Sequence, residues 1–309
     1  MTIRHIFGVW QRWSSGYFVA LVFLLFALNF PAVALAETPS LEVKLDGYGR
    51  PTIPVTLPGT GGAKYFLFDT AARRNLLLNR DSGAPGVKRY ANGKIRHYSS
   101  QGLLQLPAAT IASWKIGNRT VRNSITGFYP HSFGTAGLVG NNVFVGRILH
   151  WKPGAKAFNV FTNTAPFADA SWHNVGGRPN RHFSVLMRAL YRDLEIRVVV
   201  ATGAEKTLMD VDTLHKLFPN AKGWLSGNFE FKNIEFGLGS DRRNYRSFTL
   251  PNFKIGAWDL DGIEVFSATI DAEQITGDKR APVMILGSDI LMKHEVAFDF
   301  RDYQLWIKD

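Results

Sequence analysis

The chain of 309 residues contains no cysteine. This absence excludes disulfide bonds, thiol catalysis, zinc–thiolate sites and a lipid-modified N-terminal cysteine. The eight histidines form no His-Glu-x-x-His or His-x-x-x-His spacing, and the chain has no phosphate-binding or dinucleotide-binding glycine motif. We therefore expect neither a bound metal nor another cofactor.

Acidic residues are missing from the first 36 positions, where Arg4 and Arg12 precede an apolar run over 17–36. A basic start, an apolar stretch and a small-residue end are typical of a secretory signal peptide. The pattern predicts a signal peptide over 1–36, cleaved near Ala36, and a periplasmic or secreted mature protein. An uncleaved membrane anchor is the alternative, because the run is about long enough to span a bilayer.

Long runs of basic residues are also absent, although the chain is basic overall. Removing the signal segment lowers the formal net charge from +11 to +9. The basic residues occur as scattered pairs, such as Arg73-Arg74 and Lys279-Arg280. A nucleic-acid binder concentrates its positive charge on one face. We therefore expect no nucleic-acid partner.

Long helical patterns are absent, and the mature region shows mainly the two-residue alternation of β-strands. The segments SLEVKLD (40–46) and LEIRV (194–198) alternate apolar and polar residues. Two short apolar stretches resemble single helical turns, with Asp210 and Ser288 placed as N-caps. The composition of these segments predicts an all-β fold.

Three blocks of the sequence recur in the same order, which is the signature of an internal repeat. The pairs are FLFDTAA (66–72) with VVVATGA (198–204), WKIG (114–117) with FKIG (253–256), and GLVG (137–140) with MILG (284–287). The first pair places Asp69 opposite Ala201. The repeat predicts two β units, over 37–163 and 180–309, joined by a linker over 164–179 that is rich in Pro, Ala and Gly.

Each unit resembles one lobe of the aspartic peptidases, of the retropepsin or bilobal pepsin-like type. In that family an apolar strand leads into Asp-Thr/Ser-Gly, and a later apolar-apolar-Gly segment packs against this turn. The resemblance implies an all-β fold of two lobes related by a pseudo-two-fold axis, with a central cleft. The active-site turns would be Asp69-Thr70-Ala71 and Ala201-Thr202-Gly203.

The resemblance also implies a hydrolase that cuts peptide bonds with two carboxylates sharing one proton. The partner would be an extended peptide or an unfolded protein segment, held between the lobes of a monomer without any metal. Hairpin flaps would cover it by β-addition. Tyr98 and Gly102 are the first-lobe flap candidates, and the second flap would lie within 228–240.

The sequence departs from the family pattern at the reacting atoms themselves. Asp69 stands at the first dyad position, but Ala201 at the second has no carboxylate, and Ala71 replaces a glycine. A lone Asp69 is expected to keep an ordinary low pKa, especially if Arg73 lies close. The sequence thus favours a pseudoenzyme that binds extended peptides and hydrolyses them poorly.

Three alternatives keep an active endopeptidase open. Ala201 could be a substitution of a catalytic aspartate in this version of the protein. Glu205 or Asp210 could supply the second carboxylate by reaching back into the turn. Two chains could also pair so that their Asp69 residues meet, as in a one-lobe dimeric peptidase.

Overall fold

The computed structural model of the chain describes residues 40–99, 102–130, 134–219, 231–235 and 242–308. The proposed signal segment 1–36 lies outside the described residues. The described residues all belong to one compact unit. Among the described residues, no helix has both the length and the apolar character needed to cross a bilayer.

The first half of the chain consists of strands and short 3₁₀ turns. SLEVKLD, expected as one strand, divides at Val43 into two. The strands are β1 (Ser40–Glu42), β2 (Lys44–Leu45), β3 (Pro51–Thr56), β4 (Lys64–Asp69), β5 (Asn75–Leu78), β6 (Val87–Ser99), β7 (Gly102–Ile116), β8 (Arg119–Tyr129), β9 (Gly137–Gly140), β10 (Ile148–Trp151) and β11 (Ala157–Phe161), with 3₁₀ turns at Asn79–Asp81 and Asn141–Phe144.

The described part of the second half adds thirteen strands and three short helices, so the predicted all-β class is confirmed. LEIRV lies within β15, as expected. The strands are β12 (Trp172–Asn174), β13 (Arg178–Pro179), β14 (Val185–Tyr191), β15 (Leu194–Val200), β16 (Leu208–Asp210), β17 (Phe231–Glu235), β18 (Arg242–Leu250), β19 (Lys254–Ile255), β20 (Trp258–Asp259), β21 (Ile263–Ala268), β22 (Val283–Leu286), β23 (Glu295–Asp299) and β24 (Gln304–Lys308); the helices are α1 (Val211–Leu217), α2 (Ala272–Thr276) and α3 (Ser288–Leu291), and a 3₁₀ turn spans Ala165–Phe167.

Two eight-stranded sheets carry the first and third repeated blocks, whereas the second block lies on β7 in the first half and on a separate two-stranded sheet of β19 and β20 in the second half. The strand orders of the eight-stranded sheets are β2-β3-β4-β9-β5-β8-β7-β6 and β13-β14-β15-β22-β16-β21-β18-β17. In the first, β9 lies parallel to β4 and antiparallel to β5; in the second, β22 lies parallel to β15 and antiparallel to β16. The strand that carries the third block therefore lies, in both sheets, beside the strand that leads into a turn.

A third sheet has six strands in the order β1-β11-β10-β23-β24-β12. Its central pair joins the two halves of the chain, since β10 and β23 run antiparallel from Ile148 opposite Asp299 to Trp151 opposite Val296. The segment 164–179, expected as a linker, contributes β12 to this sheet and buries Phe167. It is thus a structured connection.

Aromatic packing fixes the end of β4, where the first turn begins. The Phe68 ring makes edge contacts with Phe144 at 5.2 Å and Phe158 at 5.6 Å between ring centroids. Phe158 in turn contacts Phe298 from the second half at 6.2 Å. Such pairs stabilise beyond the area they bury. A chain without disulfides thus holds Asp69, the next residue, by packing.

One of the two predicted N-caps is confirmed and the other is wrong. The Asp210 carboxylate accepts the Asp212 N–H at 3.1 Å at the start of α1. At α3 the N-cap is Gly287, and Ser288 is the first helical residue. The Ser288 hydroxyl donates to the Thr202 carbonyl instead, so the second repeat unit uses it to hold a turn.

Candidate functional site: two turns that meet

The turns that follow β4 and β15 are joined by four hydrogen bonds in a reciprocal pattern. The Thr70 N–H donates to Thr202 Oγ1 at 3.1 Å, and the Thr202 N–H donates to Thr70 Oγ1 at 3.0 Å. The Thr70 hydroxyl donates to the Val200 carbonyl at 2.8 Å, and the Thr202 hydroxyl to the Phe68 carbonyl at 2.7 Å. Both threonines are fully buried. The sequence-predicted Thr70 and Thr202 are therefore brought into direct contact.

Each turn is also held from behind by the residue that follows the glycine of the third block. The Asn141 amide donates to the Thr70 carbonyl at 2.9 Å, and the Ser288 hydroxyl donates to the Thr202 carbonyl at 2.5 Å. Sequence reasoning missed Asn141 and misassigned Ser288. Their matched place after Gly140 and Gly287 is the signal that could have identified both.

Asp69 lies where the turns meet and accepts hydrogen bonds from both of them. Its Oδ1 accepts the Ala71 N–H at 2.8 Å and the Gly203 N–H at 3.2 Å. Loss of hydration raises the pKa of Asp69, although these bonds and the positive charge of Arg50 act to lower it. The expectation of an ordinary low pKa beside Arg73 is therefore wrong, because burial outweighs the nearby positive charge, which comes from Arg50.

Arg50 is the charged group that sequence reasoning did not find. Its side chain is 1% exposed and its guanidinium lies 2.8 Å from Asp46 Oδ2. Buried charges are retained in proteins when they are paired in this way. The short segment DGYGR (46–50) has no motif that would have indicated this position.

Gly203 approaches Asp69 so closely that no side chain fits between them. A Cβ at Gly203 would lie 2.5 Å from both Cγ and Oδ2 of Asp69. The backbone of Gly203 is outside the left-handed region. Glycine is therefore required here by the carboxylate in front of it, and not by an unusual turn conformation.

The opposite corner of the site is apolar. Ala201 is 5% exposed and belongs to a buried cluster with Leu186 and Val199, against which Ala71 packs. Ala71 corresponds to Gly203 in the repeat, as Ala201 corresponds to Asp69. Asp69 requires a glycine at position 203, and by the same geometry an aspartate at position 201 would require a glycine at position 71. The chain has alanine at both 71 and 201, so the two departures from the family pattern are compatible with each other.

The strongest influences on the pKa of Asp69 are its burial, three backbone N–H groups and the charge of Arg50, none of which is a carboxylate. Asp210, one of the alternative donors, is 8% exposed and accepts the N–H groups of Asp212 and Ile270. It is therefore committed to the start of α1, which contradicts its role as a replacement for residue 201. Glu205 is partly exposed, and its role as a second acid stays a prediction.

The flap candidates lie on the hairpin of β6 and β7. Tyr98 pairs with Leu103 and Gly102 pairs with Ser99, next to residues 100–101, which lie outside the described residues. In the second half, β17 (Phe231–Glu235) pairs antiparallel with β18, and β17 is the described part of the predicted second flap. The rest of 228–240 lies outside the described residues, so the covering role of both hairpins stays a prediction.

His97, on the same hairpin, gives the fold a pH dependence. Burial, with the charge of His182 as the smaller cause, lowers the pKa of His97 from 6.5 to about 4. A histidine that is harder to protonate when folded stabilises the fold above pH 6.5, and this contribution is lost as the pH falls toward 4. At pH 5 the expected loss is about 2 kcal/mol in the free energy of unfolding.

Urea unfolding at pH 7 and pH 5 tests this expectation, with His97→Gln as the comparison. The variant should lose less stability between the two pH values than the unchanged protein. His182, His150 and His294 shift in the same direction through burial and remain in both proteins, whereas the raised pKa of Asp69 acts in the opposite sense. Equal slopes for the two proteins would contradict the assignment to His97.

The described residues contain no group of three or more His, Asp or Glu side chains arranged to hold a metal ion.

No protein-family model matches the chain, and no curated protein matches it significantly.

Proposed function

We propose that the chain is a two-lobed relative of the aspartic peptidases that binds extended peptide segments between its lobes without hydrolysing them. Three observations support this relationship. The repeated blocks occur in the same order twice, the two eight-stranded sheets share one strand order, and the turns exchange reciprocal hydrogen bonds. An exported protein acting in the periplasm or outside the cell is part of the proposal.

The observation that carries the proposal is the single carboxylate where two turns meet. Hydrolysis by an aspartate pair needs one carboxylate to take a proton from water and a protonated neighbour to polarise the carbonyl. Asp69 alone can do only one of these at a time. Its position opposite the buried methyl group of Ala201 leaves the second role unfilled. Loss of one acid–base group typically slows a reaction about 10²- to 10⁴-fold.

The edge strands of the two eight-stranded sheets support peptide binding. In the described part of the chain, β6 and β17 are the last strands of their sheets. An extended peptide can add to such an edge through main-chain hydrogen bonds, with side-chain pockets setting its specificity. This mode of binding needs no second carboxylate, so it survives the loss at position 201.

The test measures binding and cleavage together on the mature protein, residues 37–309. Fluorescence anisotropy should show saturable binding of labelled, unstructured casein-derived peptides. Mass spectrometry of the same samples between pH 3 and pH 8 should show no cleavage. The negative control is a stably folded protein with a charge similar to that of the peptides, which should not bind.

Two results would overturn the proposal. Cleavage that disappears in the Asp69→Asn variant would show a working peptidase with its second acid elsewhere. Absence of binding to every unstructured peptide would remove the peptide-binding function. Binding that persists in Asp69→Asn supports the proposal, because the edge strands and not the carboxylate would hold the peptide.

A further inference from the structure

A cavity of about 590 Å³ opens beside the first turn. It lies between β6, β7 and β8 on one side and the segment after Asp69 on the other, and Ala71 forms part of its wall. This volume is in the range of sites that bind small ligands or single side chains. Because Ala71 belongs to both the cavity and the turn, whatever lies along the turn can reach into the cavity.

A β-bulge builds one wall of the cavity. Arg89 pairs with Ala109 but Lys94 pairs with Pro107, so residues 90–93 face Ala108 alone. Gly93 closes the bulge, since a Cβ there would lie 2.5 Å from the Cβ of Tyr90. Bulges redirect side chains and are frequent next to functional sites. The interruption of β6 thus turns its side chains toward the cavity.

The wall of the cavity carries positive charge only. Arg73, Arg74, Lys94 and Arg96 line it, and no acidic side chain among the described residues does. Within the described structure none of these four side chains forms an ion pair, whereas the buried Arg50 pairs with a carboxylate. Unpaired like charges around one concavity raise the local potential for an anion.

The side chains of Arg73 and Arg74 lie close enough together to repel each other. Burial and then the charge of Arg73 lower the pKa of Arg74. The Arg73 guanidinium lies over the Phe183 ring at 4.4 Å, which restrains its position. Two arginines that repel each other, one of them fixed by an aromatic ring, gain stability when an anion lies between them.

The neighbouring histidines add no charge at neutral pH. His97 has its pKa lowered to about 4 by burial and by His182, so its imidazole is neutral near pH 7. His182, which also lines the cavity, has its pKa lowered through burial. The preference for an anion therefore comes from the arginines and the lysine.

We infer that this cavity is a subsite that binds the carboxylate of an aspartate or glutamate side chain in the bound peptide. The inference rests on the proposed function, because it places the acidic residue on the peptide that passes Ala71. Guanidinium groups match carboxylates through paired hydrogen bonds, which favours carboxylate over a neutral amide of the same shape. The protein would thus select acidic unfolded segments.

The test uses pairs of unstructured peptides that differ only by glutamate or glutamine at each position in turn. Anisotropy at low ionic strength should show that glutamate at one register position tightens binding about tenfold, as expected for a charged hydrogen bond. In the Lys94→Gln/Arg96→Gln variant this preference should weaken, and in the Arg73→Gln/Arg74→Gln variant it should disappear. Lys152→Gln, at an exposed lysine outside the cavity, is the control for charge.

The outcomes separate this inference from the proposed function. Equal binding of both peptides overturns the subsite and leaves peptide binding intact. Absence of binding by either peptide overturns the proposed function and this inference with it. A second arm measures melting with citrate or inorganic phosphate: stabilisation by these ions without a glutamate preference shows a free-anion site and overturns the peptide subsite.

Discussion

The Ala71→Gly/Ala201→Asp double variant is expected to hydrolyse unfolded protein substrates that the unchanged protein leaves intact. It introduces a carboxylate at the position equivalent to Asp69 and removes the methyl group at the position equivalent to Gly203. Two close carboxylates then share one proton, so that one is a base and the other an acid. The expected gain in cleavage rate is about 10²- to 10⁴-fold, the usual contribution of one acid–base group.

The single variant Ala201→Asp should gain much less. In the equivalent corner, a Cβ at Gly203 would lie 2.5 Å from the Asp69 carboxylate, which indicates how closely Ala71 would crowd a new aspartate. Casein cleavage across pH 3 to pH 8 is the measurement, and addition of Asp69→Asn to the double variant is the control that should abolish it. Equal activity of the single and double variants would refute the steric coupling. A folded but inert double variant would refute the two-carboxylate geometry.

Gly203→Ala is expected to lower the free energy of unfolding by about 3 kcal/mol, at the upper end of the cost of forcing extra atoms into a packed site. The added methyl group would collide with the Asp69 carboxylate and disrupt the hydrogen bond from the Gly203 N–H. Backbone strain should contribute little, because Gly203 does not occupy the left-handed region. Urea unfolding of both proteins at pH 7 gives the difference directly.

Asp69→Ala should rescue this defect, since it recreates the alanine pair already present at 71 and 201. Alone, Asp69→Ala leaves the Ala71 and Gly203 N–H groups without their acceptor, at a cost of about 1–3 kcal/mol. In the double variant the added methyl group faces another methyl group. We therefore expect the double variant to be more stable than the sum of the single effects by about 2 kcal/mol. Additive effects would mean that Gly203 is required for another reason.

The repeats made part of this site predictable from sequence. The alignment of Asp69 with Ala201 identified the two threonines, and the structure places these in contact. The residues that the sequence did not identify act through contacts between distant parts of the chain. Arg50 reaches the site from a separate loop, and the six-stranded sheet joins strands far apart in sequence. Local periodicity carries no information about such pairings.

The pKa of Asp69 shows a different limit of sequence reasoning. A list of nearby charges predicted a low value, because Arg73 follows closely in the chain. Desolvation, which depends on how many atoms from both halves surround the carboxylate, decided the direction instead. Burial of this kind follows from tertiary packing and cannot be read from neighbours in sequence.

The antiparallel pairing of β10 with β23 constrains how the two halves can fold and move. Separated from its partner, either half would expose an unpaired strand edge, which is a template for aggregation. The halves are therefore bound to fold together as one cooperative unit. A hinge motion that separated the two halves would have to break the hydrogen bonds between β10 and β23. Any relative movement of the two halves that separates β10 from β23 therefore costs the backbone hydrogen bonds of this ladder.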